Sequence, residues 1–334
     1  MTVQLVVCLT LICPLLLRVL ARPIAARVEP RCATWLLTGA AVVLAACSSA
    51  ALALGALAAL IRVPAVAALG SWSPTVIARG DSASAGAAVV FGFLLGAAFT
   101  AAARFAVRRG QALAEAFRHA RGLPGRGQVV VTEDASADAY TVPGRPGRIV
   151  VSAGMLDTLD DAGRAALLAH ERAHLAGRHY AFTSVARLAA AANPLLRPLA
   201  AAVEYTVERW ADERAAAAVG DRRLVAETIA RAAVAVKRTR PRRSPAAALG
   251  IAFHALDRIV GGRAASGRIT ARSLATAGPI PRRVAALLAP PPGRRWILQA
   301  VVALVAVVAG FWALDAAHDL HELLEAAAVG THRD

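Results

Sequence analysis

Four apolar runs limit what this chain can fold into. Residues 3 to 21, 33 to 61, 85 to 105 and 296 to 314 are each long enough to cross a bilayer, which takes roughly 20 helical residues. A mean hydropathy of +0.52 with only 18% charged residues fits the same class, so the chain reads as a mainly α membrane protein with four transmembrane helices. The second run is long enough to tilt or project. Residues 1 to 4 carry no basic charge and the arginines come after the run, at Arg18 and Arg22, so the first run is expected to stay as an anchor and not to be cleaved as a signal peptide.

The formal charge is +16, and every basic residue except Lys237 is an arginine, a balance that suits nucleic acid or anionic lipid. The arginines flank the apolar runs, and aromatic residues, at 5%, are too few to build a surface on which bases stack. Membrane lipids are therefore the expected partner, and no direct binding of nucleic acid is expected. Orientation follows from the same arginines. Arg18, Arg22, Arg27 and Arg31 lie between runs one and two, while Arg62 and Arg79 with Asp81 lie between runs two and three. Arg104, Arg108, Arg109, Arg118 and Arg121 follow the third run, and Arg282, Arg283, Arg294 and Arg295 precede the fourth. The tail carries Asp315, Asp319, Glu322 and Glu325. This pattern predicts extracytoplasmic N- and C-termini and a cytoplasmic segment over 106 to 295. Cys8, Cys13, Cys32 and Cys47 all lie in or beside apolar runs with no C-x-x-C spacing, so neither a disulfide framework nor a cysteine metal site is expected.

Three parts are expected: 1 to 105 with three spans, 106 to 295 as a domain with its own core, and 296 to 334 with the fourth span and a short tail. A polar helix, about 104 to 121, is expected to continue the third span. The runs 128 to 134, 139 to 142 and 148 to 154 are β-branched and separated by glycine and proline, so they read as short strands, with "PGRPG" as a turn. Asp157 or Thr158 is expected to cap a following helix whose Leu159, Ala162, Ala166, Leu167, His170 and His174 share one face. Asn193-Pro194 interrupts the helical pattern, and a further helix is expected over about 195 to 218. The stretch 237 to 245, "KRTRPRRSP", reads as a solvated basic loop. Strands followed by helices make this inserted domain α+β.

Chemistry enters with "LLAHERAHLAGRH", residues 167 to 179, which contains His-Glu-x-x-His. Four residues apart on a helix, His170 and His174 project from one face and can both reach one ion. Neutral imidazoles hold zinc while leaving coordination positions open, and zinc makes water acidic enough to attack at neutral pH. Glu171 stands beside them as a general base. Two histidines need a third ligand. The next acidic helix, in "ERWADERA", offers Glu208, with Glu204 as a competitor and Asp212 one turn on. His179 or Tyr180 could polarise a carbonyl, or simply pack at the helix end. His318 and His321 in the tail fit a solvated helix end.

His170-Glu171-x-x-His174 followed by Glu208-x-x-x-Asp212-x-x-Ala215 resembles the pattern of membrane zinc metallopeptidases of the gluzincin type. Three spans before this segment and one after it resemble the BlaR/MecR branch, related to HtpX-like peptidases. "GRIVVSAGMLDTL", 147 to 159, and "PRRVAALL", 281 to 288, are similar to segments that flank the zinc helix in both branches. The resemblance implies a zincin-like domain holding one zinc ion, with His170, His174 and Glu208 as ligands. It also implies Glu171 as base and Asp212 as the group orienting a ligand histidine. The sensor members carry an extracellular penicillin-binding domain, whereas only about 315 to 334 follow the last run here, with no Ser-x-x-Lys motif.

The expected activity is a membrane-embedded zinc endopeptidase cutting protein substrates at the cytosolic face. Its regulatory form would cleave a transcriptional repressor, and its housekeeping form would degrade membrane proteins in the manner of HtpX. A non-catalytic signal transducer is the rival from another class, and the intact Glu171 counts against it. Peptidases that act on extended chains need a free sheet edge on which substrate adds as a strand. Ile149, Val150 and Val151, immediately before the zinc helix, are expected to supply that edge.

Overall fold

The computed structural model describes residues 12–60, 85–123, 127–145, 147–239, 278–290 and 296–330. The start of the first apolar run, the connection 61–84, most of the basic loop 237 to 245 and Arg294 and Arg295 lie outside the described residues. Helices α1 (Cys13–Arg27), α2 (Pro30–Leu60) and α3 (Ala85–Gly122) come first. Strands β1 (Val129–Thr132), β2 (Ala139–Val142) and β3 (Arg148–Ser152) follow. Helices α4 (Ala153–Leu156), α5 (Asp161–Ala176), α6 (His179–Ala192), α7 (Arg197–Val219) and α8 (Arg222–Thr239) then build the domain. Finally α9 (Pro279–Leu288) precedes α10 (Trp296–Gly330).

Among the described residues, two helices are long and apolar enough to cross a membrane, Pro30–Leu57 within α2 and Val89–Gly122 within α3; the apolar part of α10, Gln299–Asp315, is shorter. The polar continuation of the third run is one unbroken helix with it, as α3 extends to Gly122. Phe93 and Phe99 on α3 are 74% and 75% exposed, and Val19, Leu304, Val307, Phe311 and Leu314 are also open. Large apolar side chains bared along these helices mark a surface suited to an apolar partner.

The helix ends show why the chain turns where it does. Glu29 caps α2, its carboxylate accepting the amides of Arg31 and Cys32. The cap expected at Asp157 or Thr158 lies elsewhere. Ser152 caps the single-turn α4 by accepting the Met155 amide, and Asp160 caps α5 by accepting the Gly163 amide at 2.8 Å. Thr158 is already committed, because its hydroxyl donates to the Gly154 carbonyl at 2.8 Å. Asn193 accepts the Leu195 amide at the start of the 3-10 turn Pro194–Leu196 and donates to Ser48 Oγ on α2, so the break between α6 and α7 is pinned to a membrane-type helix.

The sheet order is β1-β3-β2, with β1 parallel and β2 antiparallel to β3. This corrects the expected edge: Ile149, Val150 and Val151 sit in the central strand, and every residue of β3 is buried. Their backbone groups are committed to neighbours on both sides, so no incoming chain can pair there. Among the described residues, the outer strands are β1 and β2. Ser152 donates its amide to the Asp138 carbonyl at 2.9 Å, and the alternation of an antiparallel pair then turns the N–H and C=O of Ala139 and Thr141 away from β3.

One core joins the first two helices to the domain. Leu17, Ile24, Leu37 and Leu44 of α1 and α2 are buried together with Phe182, Ala186, Leu199 and Val203 of α6 and α7. A second core lies between the sheet, α5 and α8 and contains Ile149, Val151, Met155, Leu167, Ala232 and Val236. Arg209 on α7 fastens the first core, donating to the Ala25 and Ala26 carbonyls at the end of α1 at 2.9 and 3.2 Å. These are the orphan carbonyls of a helix C-terminus, where a guanidinium is favoured. Replacing Arg209 with Leu should lower the free energy of unfolding in detergent by about 2–3 kcal/mol, read from a denaturant titration.

Candidate active site

Helices α5 and α7 pack against each other and bring the predicted residues together. The i, i+4 spacing puts His170 and His174 on one face of α5, their Nε2 atoms 3.0 Å apart. From α7, Glu208 Oε2 lies 3.7 Å from His170 Nε2, and Oε1 lies 3.5 Å from His174 Nε2. These three ligand-type atoms all lie within 4.8 Å of one another, and the two histidines are buried. Glu204, the competitor, is turned to Arg187 at 2.6 Å. Asp212, one turn beyond Glu208, is 3.1 Å from His170 Nδ1, an ion-pair approach and not an aligned hydrogen bond. Glu171 is 3% exposed and lines a small cavity with His170, Glu208 and Arg283, walled by Leu167, Val225 and Ile229.

Arg283, from α9, reads in the sequence as a charge flanking the last span and as part of the family-like segment 281 to 288, with no site role. It is buried in the site instead. Its Nε and one terminal nitrogen grip the Asp212 carboxylate at 2.8 and 2.6 Å, and the other terminal nitrogen reaches Glu208 Oε2 at 2.8 Å. The signal in the sequence is the segment "PRRVAALL", a pair of arginines after a proline in a short amphipathic helix. His179 is the other unforeseen partner: it is 2% exposed, and its Nδ1 lies 3.0 Å from Nδ1 of His174. It stands behind His174 and packs at the start of α6. Tyr180 lines a crevice with Thr141, Pro143 and His174. In the tail, His318 pairs with Glu322 at 3.2 Å on an exposed surface, as a solvated helix end would.

Burial governs the protonation of this cluster. It pushes the Glu171 carboxyl up to about 7, against the pull of His170. It also raises Glu208, with Arg283 opposing. His174 is held well below the usual imidazole range by burial and by His170 and His179. His179 falls to about 3 through burial and the nearby His170 and Arg214. His170 rises despite its burial, because Asp212 favours its charged form. Asp212 is likewise buried, yet Arg283 brings it down to about 2, and Arg283 itself is raised by its two carboxylates.

Two imidazole nitrogens and a carboxylate oxygen converging from two helices make a donor set of the kind zinc takes. A neutral His174, a carboxylate held next to Arg283 and a buried carboxyl poised near neutrality suit metal-assisted hydrolysis. The fold and this cluster define a metallopeptidase. A model of Peptidase family M48 matches residues 106–290, more than half of the chain, and the chain belongs to that family. Members of the family are metal-dependent, typically on zinc. The match does not reach the finer likeness to the BlaR/MecR branch. No curated protein and no solved structure matches the chain.

Replacing Glu171 with Gln gives a direct test of the burial. A carboxyl whose pKa is raised by folding, from 4.5 to about 7, favours the folded state only when protonated, so its charge destabilises the fold above about pH 7 and the penalty vanishes as pH falls through 4.5. In metal-free protein at pH 8, Glu171→Gln should be more stable by on the order of 3 kcal/mol, with the gain shrinking on acidification, as measured by thermal unfolding.

Proposed function

We propose that this chain is a membrane-embedded zinc endopeptidase that cuts protein substrates at the cytosolic face of the bilayer. The observation that carries the reading is the convergence of His170, His174 and Glu208, with Glu171 buried beside them on the zinc-type helix. His170, His174 and Glu208 would hold one zinc ion, which would supply the Lewis acidity. Glu171 takes a proton from the attacking water and delivers it to the leaving amine, a role suited to a pKa near the working pH. Asp212, locked by Arg283, orients His170 from behind. The apolar walls of Leu167, Val225 and Ile229 keep bulk water from these charges.

Membrane residence is supported by the two long apolar helices, by the core they share with α6 and α7, and by bare apolar side chains along α3 and α10. The arginine asymmetry supports a cytosolic domain over 106 to 295 and extracytoplasmic termini. Lipid is then a standing partner. The substrate class follows from the sheet edge nearest the site. Thr141 of β2 shares a crevice with His174, and its backbone is turned away from β3. A substrate strand added there is held by backbone hydrogen bonds and is selected for flexibility more than for sequence. A cytosolic transcriptional repressor with a flexible hinge is one such substrate, which makes the regulatory form our reading; broad turnover of membrane proteins is the housekeeping form.

Purified protein should carry about one zinc per chain, and His170→Ala or His174→Ala should lose it, whereas Glu171→Gln should keep the metal and lose hydrolysis. Stoichiometric zinc in both histidine variants would overturn the ligand assignment. Comparing the proteomes of cells that carry the native chain or Glu171→Gln identifies substrates: a few cut repressor-like proteins support the regulatory form, and many membrane-protein fragments support the other.

A second test addresses the edge. Thr141→Pro removes an amide directed away from the sheet while sparing the pairing of β2 with β3, as proline is tolerated at an edge. Cleavage of an unstructured protein should fall about tenfold, the loss expected for about one backbone hydrogen bond to substrate, with zinc content unchanged. Unaltered cleavage would exclude β2 as the substrate strand.

A further inference from the structure

We infer that His179 is a positioning residue for the metal centre: its Nδ1 accepts the Nδ1–H of His174 and so turns His174 Nε2 toward His170 and Glu208. The inference rests on the reading of His174 as a ligand. A neutral imidazole carries one proton, and His174 directs Nε2 into the cluster, 3.0 Å from His170 Nε2 and 3.5 Å from Glu208 Oε1. Its proton must then sit on Nδ1 whenever Nε2 binds a metal. The atom facing that proton is His179 Nδ1, at 3.0 Å, with the two rings edge to face at an interplanar angle of 85°. As the acceptor, His179 keeps its own proton on Nε2.

Three further features hold His179 in this place. Arg178 is the one non-glycine among the described residues with positive φ, at 48°, and it immediately precedes His179. Such left-handed residues are sparsely populated and cluster where a functional geometry has to be reached. Here the turn swings the chain from the end of α5 so that the first residue of α6 folds back onto His174. Gly177 clears the path: a Cβ there would come within 2.2 Å of His179 Nε2. Trp210 of α7 lies against the other side, its ring centroid 4.6 Å from that of His179, and the Arg31 guanidinium from the start of α2 stands 5.8 Å from the Trp210 ring. The imidazole is thus confined between α5 and α7.

His170 and His174 are therefore supported differently. Asp212, a carboxylate locked by Arg283, stands behind His170. A neutral imidazole stands behind His174 and fixes its orientation and tautomer without adding charge. Groups in this position commonly set metal affinity over about 10–100-fold.

The test uses full-length protein in detergent, with zinc titrated against a chelator of known affinity. His179→Phe keeps a ring and removes the acceptor, and zinc affinity should fall about 10–100-fold. His179→Asn, whose Oδ1 takes the place of Nδ1, should restore most of that loss. Gly177→Ala should weaken binding by displacing the His179 ring while leaving every ligand intact. Native affinity in His179→Phe, or equal losses in His179→Phe and His179→Asn, would overturn the proposal. A readout that needs no variant at His179 is nitrogen NMR of the histidine rings in zinc-loaded protein. His179 should appear as the Nε2–H tautomer, and an Nδ1–H tautomer would refute it. If His174→Ala still binds zinc, the ligand assignment itself fails; if His174→Ala loses zinc while His179→Phe keeps native affinity, only the role of His179 fails.

Discussion

The Arg283 guanidinium is the contact on which the rest of the site depends. Glu208, Asp212 and Glu171 put three carboxyl groups into a largely buried space, and burial by itself pushes the pKa of each up. Among the described residues, Arg283 is the cation that meets two of them, gripping Asp212 with two nitrogens and Glu208 with the third. Removing one partner from such a group leaves an uncompensated buried charge and costs about 3–5 kcal/mol. The site is therefore complete only when α9 is docked. Docking is held by Leu287 in the small core of α7 and α8, and by Arg222, which donates to the Ala286, Leu287 and Ala289 carbonyls at the end of α9. The electrostatics of the zinc-type cluster and the closing of the chain before α10 are one event.

Helix α7 ties this cluster to the apolar half of the protein. One side contributes Leu199 and Val203 to the core of α1 and α2, places Thr206 Oγ1 3.0 Å from Thr34 Oγ1, and sends Arg209 to the end of α1. The opposite side carries Glu208 and Asp212. With three residues in sequence serving both environments, Glu208, Arg209 and Trp210, the ligand set cannot rotate independently of the membrane-type helices. A helix buried nearly all round and bonded at several depths transmits displacement as a rigid element, because a close-packed core does not deform continuously.

What could be read in the sequence follows the range of the interactions. The i, i+4 histidines, the acidic pattern at Glu208 and Asp212 and the break at Asn193-Pro194 are local, and each appears in the structure as helix face or helix end; of the apolar runs, those within α2 and α3 appear among the described residues as helices long enough to cross a membrane, and the one within α10 is shorter. The sheet order was not local. Its place before α5 in sequence makes β3 read as an edge, yet consecutive Ile149, Val150 and Val151, without polar alternation, are the mark of a strand buried on both faces. Arg283 meets Asp212 across 71 residues, and no periodicity reports such a contact. His179 lay close enough to His174 to be noticed, but its direction depends on the left-handed backbone at Arg178, which is unusual for arginine and has no signature in residue type.

The difference between the two histidine supports bears on the reaction through charge. Asp212 behind His170 is matched by Arg283, so that pair is close to neutral as seen from the cluster. A divalent ion bound by two neutral imidazoles and the single Glu208 carboxylate would keep one net positive charge. A second carboxylate behind His174 would cancel it and weaken the pull on the electrons of attacking water and of the peptide carbonyl. An imidazole in that position orients the ligand and leaves the charge in place. Glu171 stands beside this charge, buried in the same cavity. The neutral imidazole behind His174 would therefore preserve the electrophilic character that hydrolysis requires.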